Sequence, residues 1–268
     1  MNKFLKITML AAVPLWGLTS CLDDNKYAYF HPNESWGTIV GTPENFKIET
    51  DNGNTLRVTE NLDPSFPVED SLRVVATFTP LEQTGENSFD IRVNAMKKLL
   101  TKMPVYLSEL TPDEIDSLGT DPIDIANAWF GAGEYLNIEF TIFVNDPQKA
   151  HFLNLAVDEE KSTPEEVFVT LRHNAFKDET RQKGWGRVSF DIAGLVPAGK
   201  DQIKVTLQWT GYSGVPDSAS GIFKLREQNS SFSVTPPGRK QRCSHQIRNH
   251  PIVRTTDLLP ISSDHCFK

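Results

Sequence analysis

The chain has 268 residues, 38% of them hydrophobic and 23% charged, a normal globular balance with room for one large domain or two ordinary ones. Its 35 acidic and 27 basic residues give a net charge of −8, but residues 226–268 hold seven basic and three acidic side chains, so the other 225 residues carry −12. An acidic body argues against nucleic acid as a partner, since phosphate binding needs a basic stripe. Residues 22–242 contain no cysteine and must fold on their hydrophobic core alone.

The N-terminus is built like an export signal. Lys3 and Lys6 precede an apolar run of twelve residues, Ile7 to Leu18. That is too short to span a bilayer but suits a signal-peptide core. Leu18-Thr19-Ser20-Cys21 closes the segment and resembles the lipobox of bacterial lipoproteins, in which the cysteine is acylated and becomes the first mature residue. Residues 1–20 are therefore expected to be a signal peptide, Cys21 a lipidation site and 21–35 a polar tether. The acidic Leu22-Asp23-Asp24-Asn25 resembles the surface-export signal of Bacteroides-type lipoproteins. A lipid-anchored protein of the outer membrane follows, its face left open.

Short alternating runs begin at Trp36. Phe46, Ile48, Leu56 and Val58 share one parity, against Lys47, Glu49 and Arg57. Asp51-Asn52-Gly53-Asn54 lies between them, and Asn-Gly between alternating runs predicts a hairpin with positive φ at both central residues. Leu72–Phe78 and Phe89–Ala95 complete about five strands, which suit a small barrel over 36–102 because closure removes exposed edges. Lys97–Lys102 ends the last of these strands before Met103-Pro104.

A short helix is predicted over 112–118, with Thr111 as N-cap, Pro112 at the first helical position, Glu114 as reciprocal cap and Gly119 as the stop. It is expected to join two β domains. Alternation resumes in Leu136–Val144, Leu153–Val157, Val167–Leu171, Val188–Ile192, Ile203–Trp209 and Ile222–Leu225, which predicts a β-sandwich within 103–225. From 226 to 268 periodicity vanishes, and the segment reads as an irregular or disordered tail.

Several stretches carry a family resemblance: Asp116–Ile123, Trp129-Phe130-Gly131 with Glu134–Asn137, His151–Leu155, Leu171–Ala175 and Gly186–Asp191. In that order, behind a lipobox and an acidic tether, they resemble the NigD-like lipoproteins. The resemblance implies an all-β chain, with a small OB-like five-stranded barrel followed by a β-sandwich. It implies no reaction; an association with bacteriocin gene clusters implies a role in immunity or secretion support.

His173, Asn174, Asp178, Arg181 and Trp185 form the best candidate binding site, a polar loop on a rigid sandwich that closes at Gly184-Trp185-Gly186. His173 and Asp178, five residues apart, could act as a base and its orienter, which keeps a hydrolase in view. The alternative is that His173 ends a strand and Asn174 satisfies turn backbone groups. His151 shares parity with Leu153 and Leu155, reads as a structural histidine and could pair with His173 if their strands are neighbours. Trp129, Trp185, Trp209, Tyr135 and Tyr212 invite a glycan reading, although Trp209 continues a core-facing run. Cys243, His245, His250, His265 and Cys266 match no standard zinc spacing; a Cys243–Cys266 disulfide suits an exported chain better, and two unconstrained thiols suit an unfolded tail better still. No cofactor or metal is expected. The leading reading is a non-enzymatic module that binds an envelope protein or glycan.

Overall fold

The computed structural model describes residues 33–178 and 182–225. The expected signal peptide, Cys21, most of the tether, Arg181 and the tail 226–268 lie outside the described residues. No helix among the described residues is long and apolar enough to cross a membrane.

Five strands close into a barrel: β1 (Asn33–Thr42), β2 (Asn45–Thr50), β3 (Thr55–Asn61), β4 (Arg73–Gly85) and β5 (Ser88–Lys98). Their order is β1-β2-β3-β5-β4, with β4 returning to β1 and β3 parallel to β5. Every second side chain turns inward, so Ile39, Ile48, Leu56, Val74, Ala76, Ile91 and Val93 are all buried in one core. The barrel begins before Trp36. Asn33–Ser35, expected in the tether, pair with Ala76–Phe78. The Asp51–Asn54 turn also departs from expectation. Only Gly53 has a positive φ, 85°, and the Thr50 hydroxyl accepts the Asn54 N–H at 2.9 Å, which stabilises a wider loop than a two-residue turn.

The second domain contains β6 (Leu100–Lys102), β7 (Val105–Tyr106), helix α1 (Pro112–Ser117), β8 (Asp124–Gly131), β9 (Tyr135–Val144), β10 (Phe152–Asp158), β11 (Glu166–Asn174), β12 (Gln182–Asp191), β13 (Gln202–Thr210) and β14 (Pro216–Lys224). A five-stranded sheet, β14-β13-β11-β10-β7, faces a four-stranded sheet, β6-β12-β9-β8. Phe140, Phe190 and Phe223 are fully buried in the core between them. Leu100–Lys102, expected to end the barrel, instead pair in parallel with Val188–Phe190 of the sandwich. Helix α1 carries the full capping box between Thr111 and Glu114, but it follows two strands that already belong to the sandwich. The crossing between domains is thus made by the short stretch around Leu99.

A buried polar node ties the barrel to the sandwich. Arg73 at the start of β4 donates to both oxygens of Asp51, at 2.5 and 2.8 Å, with the two side chains 2% and 7% exposed. From the sandwich, Asn137 on β9 donates to Asp51 Oδ2 at 2.6 Å and accepts from Arg73 at 3.1 Å. Ser189 on β12 donates to Asn137 at 2.7 Å. The Tyr135 ring lies 4.1 Å from the guanidinium carbon. Gly131 is required beside them, since a Cβ there would sit 2.5 Å from Asp51 Oδ2 and Asn137 Nδ2. An apolar contact flanks the node: Trp36 meets Trp129 edge to face at 4.6 Å, next to Val75 and Leu99. Arg187 spans the same border, paired with Glu34 and Glu139.

Arg73→Ala should cost about 3–5 kcal/mol, because it leaves the Asp51 carboxylate buried without its counter-charge. Asp51→Ala should do the same, and the double variant should lose less than the sum of the two. Urea unfolding of the four proteins checks this; additive losses would show that the pair is not coupled.

Candidate functional site

The expected polar loop is built around a buried chain of hydrogen bonds. β10 and β11 are antiparallel neighbours, with Leu153 opposite His173, so His151 and His173 meet at one end of the sheet. His151 Nδ1 lies 2.9 Å from His173 Nε2, and His151 Nε2 lies 3.2 Å from Asp178 Oδ2. His173 Nδ1 lies 2.9 Å from the Pro122 carbonyl. His151, His173 and Asp178 are 3%, 1% and 2% exposed.

The carbonyl can only accept, which assigns the proton order. His173 holds its proton on Nδ1, and its Nε2 accepts from His151 Nδ1–H. His151 then meets Asp178 through Nε2. Burial and the neighbouring His151 charge push the His173 pKa down to about 4. Burial alone would raise the Asp178 carboxyl. The hydrogen bonds from His151 and from the Asp146 and Asn145 N–H groups outweigh it and hold the group below the usual carboxylate range.

This corrects the expected site. All four imidazole nitrogens are engaged inside the protein, and His173 and Asp178 do not face solvent. Their role here is to hold four segments together: the ends of β10 and β11, the 145–146 turn and the Asp121-Pro122 stretch. Asp121 completes the arrangement, its N–H donating to the His173 carbonyl at 2.9 Å and its carboxylate accepting the Ala175 N–H at 2.6 Å. Gly119, with φ at 78°, lets α1 close on the same strand end, since a Cβ would come 2.4 Å from the His173 carbonyl oxygen. Three of the stretches that carry the family resemblance therefore converge on one cluster.

Asn174 lies beside the cluster but outside the core. It donates to the Ser117 carbonyl and accepts the Phe176 N–H, both at 2.9 Å. It lines a cavity of about 570 Å³ between α1 and β11, together with Asp116, Asp121, Arg172, Phe176 and Lys177. Arg172, Phe176 and Lys177 were missed by sequence reasoning. Arg172 carried no signal beyond its place in the Leu171–Ala175 stretch, and the Phe176-Lys177 turn has none of the Gly or Asn that mark such turns.

Trp185 is elsewhere. It sits within strand β12, not on a loop, half-buried on the outer face of the four-stranded sheet with the Arg187 guanidinium 4.4 Å from its ring. Gly186 looked like a loop signal but answers a packing demand, since a Cβ would lie 2.4 Å from the Phe140 ring. The other aromatics divide: Trp209 is in the core, Trp129 and Tyr135 face the barrel, and the Tyr212 hydroxyl accepts the Phe143 N–H at 2.7 Å. No group of three or more potential ligands that could hold a metal ion occurs among the described residues.

Residues 106–220 match the family of the NigD-like C-terminal beta sandwich domain. Among solved structures, a candidate toxin-related protein from Parabacteroides distasonis is 26% identical with a TM-score of 0.62, over 72% of this chain and 93% of that one. A NigD-like immunity protein from Bacteroides caccae is 23% identical with a TM-score of 0.57, over 69% and 90%. A candidate lipoprotein from Bacteroides fragilis is 12% identical with a TM-score of 0.52, over 73% and 100%. Comparison with curated proteins gives no significant match.

The histidine chain should make folding acid-sensitive. His173 has a pKa of about 4 when folded, against 6.5 ordinarily. Between those values the unfolded chain binds the proton and the folded one does not, so stability falls as pH drops through that window, by about 3 kcal/mol. The depressed Asp178 carboxyl adds a further loss only below its ordinary value of 3.8. Urea midpoints measured at several pH values should show this slope, and His173→Gln should flatten it; equal slopes would exclude His173 as the cause.

Proposed function

We propose that this chain, whose residues 106–220 match the NigD-like C-terminal beta sandwich domain, is a NigD-like protein that works as a lipid-anchored, non-enzymatic binding module of the cell envelope. The observation that carries this reading is the buried histidine chain. The histidine–carboxylate constellation that motivated a hydrolase uses its ring nitrogens and its carboxylate to hold the fold. The chemistry left at the surface is of the recognition kind: the α1–β11 groove, and the Trp185–Arg187 face of the sandwich. Two rigid β domains locked by a buried ion pair suit the display of such surfaces.

The anchor is read from Leu18-Thr19-Ser20-Cys21, and the lipoprotein candidate of the same fold supports it. An outer-membrane location is read from the anchor, and the acidic Leu22-Asp23-Asp24 suits a surface-export signal and a solvated tether equally. Immunity to a secreted toxin is a second reading, favoured by the immunity protein of the same fold from Bacteroides caccae. The partner is then the toxin or its target.

In the native host, wild-type protein should incorporate alkynyl palmitate and sediment with membranes. Cys21→Ala should do neither, and equal labelling of the two would refute the anchor. A photo-crosslinking residue in place of the exposed Lys183, beside Trp185, should couple the protein to an envelope partner. Turnover of glycan or peptide panels that is lost in His173→Ala/Asp178→Ala would instead restore the hydrolase. Deletion of the gene should sensitise the strain to its own bacteriocin if the immunity reading holds; unchanged sensitivity counts against it.

A further inference from the structure

The turn that leads out of β11 is held in a conformation its residues disfavour. Phe176 and Lys177 have φ of 50° and 65°, and the turn is closed by the Asp178 N–H donating to the Ala175 carbonyl at 3.0 Å. Two consecutive left-handed residues of this kind are the habitat of Asn-Gly, because a Cβ clashes with the backbone there. The surroundings impose the shape. Asn174 accepts the Phe176 N–H, Asp121 accepts the Ala175 N–H, and Lys149 donates to the Phe176 carbonyl. Asp178, at the end of the turn, is tied into the histidine chain. Strain that is maintained from so many sides points to a use for the side chains it presents.

Those side chains have a common character. Phe176 is 40% exposed and meets Phe152, itself 41% exposed, edge to face at 4.8 Å, so an apolar patch stands at the rim of the cavity. Lys177 beside it is exposed, and its ammonium has no hydrogen-bond or ion-pair partner among the described residues. Arg172 likewise has none, although its Nε is buried. Two unpaired cations thus line a cavity of about 570 Å³ that Asp116 and Asp121 also line, the Asp121 carboxylate being taken up by the Ala175 N–H. A volume of that size lies within the range of ordinary binding clefts.

We propose that this groove binds an acidic peptide segment of a partner protein, with an Asp or Glu carboxylate held by Arg172 and Lys177 and a neighbouring aliphatic side chain against Phe176 and Phe152. The proposal rests on the binding-module reading and gives it a location. Charge complementarity selects the ligand. A guanidinium fork matches a carboxylate, and Asp116 opposite repels it toward the sheet wall. The phenyl pair meets edge to face and suits an aliphatic group better than a sugar, which stacks on an open aromatic face.

The test uses the full-length, detergent-solubilised protein and three probes: a labelled Glu-Leu decapeptide, its Lys-Leu counterpart and polygalacturonate. The Glu-Leu peptide should bind saturably, more weakly as salt rises. Arg172→Gln and Lys177→Gln should each weaken it by about tenfold, as expected for loss of a charge-assisted contact. The double variant Phe176→Asn/Lys177→Gly should melt at a higher temperature, since it relieves the turn, and yet lose the peptide. Equal binding by wild type and this variant, or preference for the Lys-Leu peptide or for polygalacturonate, would overturn the proposal. A cross-link from position 183 in the wild-type protein, with no binding of the acidic peptide by that same wild-type protein, would remove the groove alone. Absence of any cross-link and of any peptide binding would remove the binding-module reading with it.

Discussion

The Arg73–Asp51 pair is the constraint on which the arrangement of this protein depends. Two unlike charges are withdrawn from water where a barrel meets a sandwich, and desolvation of that kind is offset only by close pairing and further hydrogen bonds. The partners come from both domains: Asp51 from the β2–β3 turn, Arg73 from β4, Asn137 from β9 and Ser189 from β12. Shifting either domain would strand a carboxylate or a guanidinium in an apolar setting. The neighbouring Trp36–Trp129 contact adds buried area but no such directionality. The polar node therefore selects the docking geometry, and the aromatic contact adds to its strength.

The same device recurs at the far end of the sandwich. His151, His173 and Asp178 are polar groups inside a β core, each satisfied by a specific partner. Buried networks of this kind are costly when incomplete and rigid when complete. Here the rigidity is passed to the 175–178 turn and to α1, the two walls of the groove. A cluster that looked catalytic in the sequence is the foundation of a surface that looks adapted to recognition.

Much of the architecture was legible because alternation is a local property. Leu136, Ile138, Phe140, Ile142 and Val144 announce a half-buried strand without knowledge of any neighbour, and they form β9. The capping box at Thr111 and Glu114 is equally local, and α1 begins there. Signals with two causes were misread. Gly186 marks close packing on Phe140, not a loop. Leu100–Lys102 was expected to end the last barrel strand, yet pairs with β12, because strand partnership is settled by what lies alongside.

The sequence alone determined the all-β class and the short capped helix, since each follows from the spacing of side chains along a few residues. It also determined that His151 points inward, from parity with Leu153 and Leu155. Only the tertiary structure decided what that histidine does. Residues 22 positions apart came to share a proton because β10 and β11 lie side by side. Arg172 and Lys177 came to line one cavity because α1 and the 175–178 turn close on the same end of β11. Pairing in space depends on long-range packing, and local spacing carries no record of it.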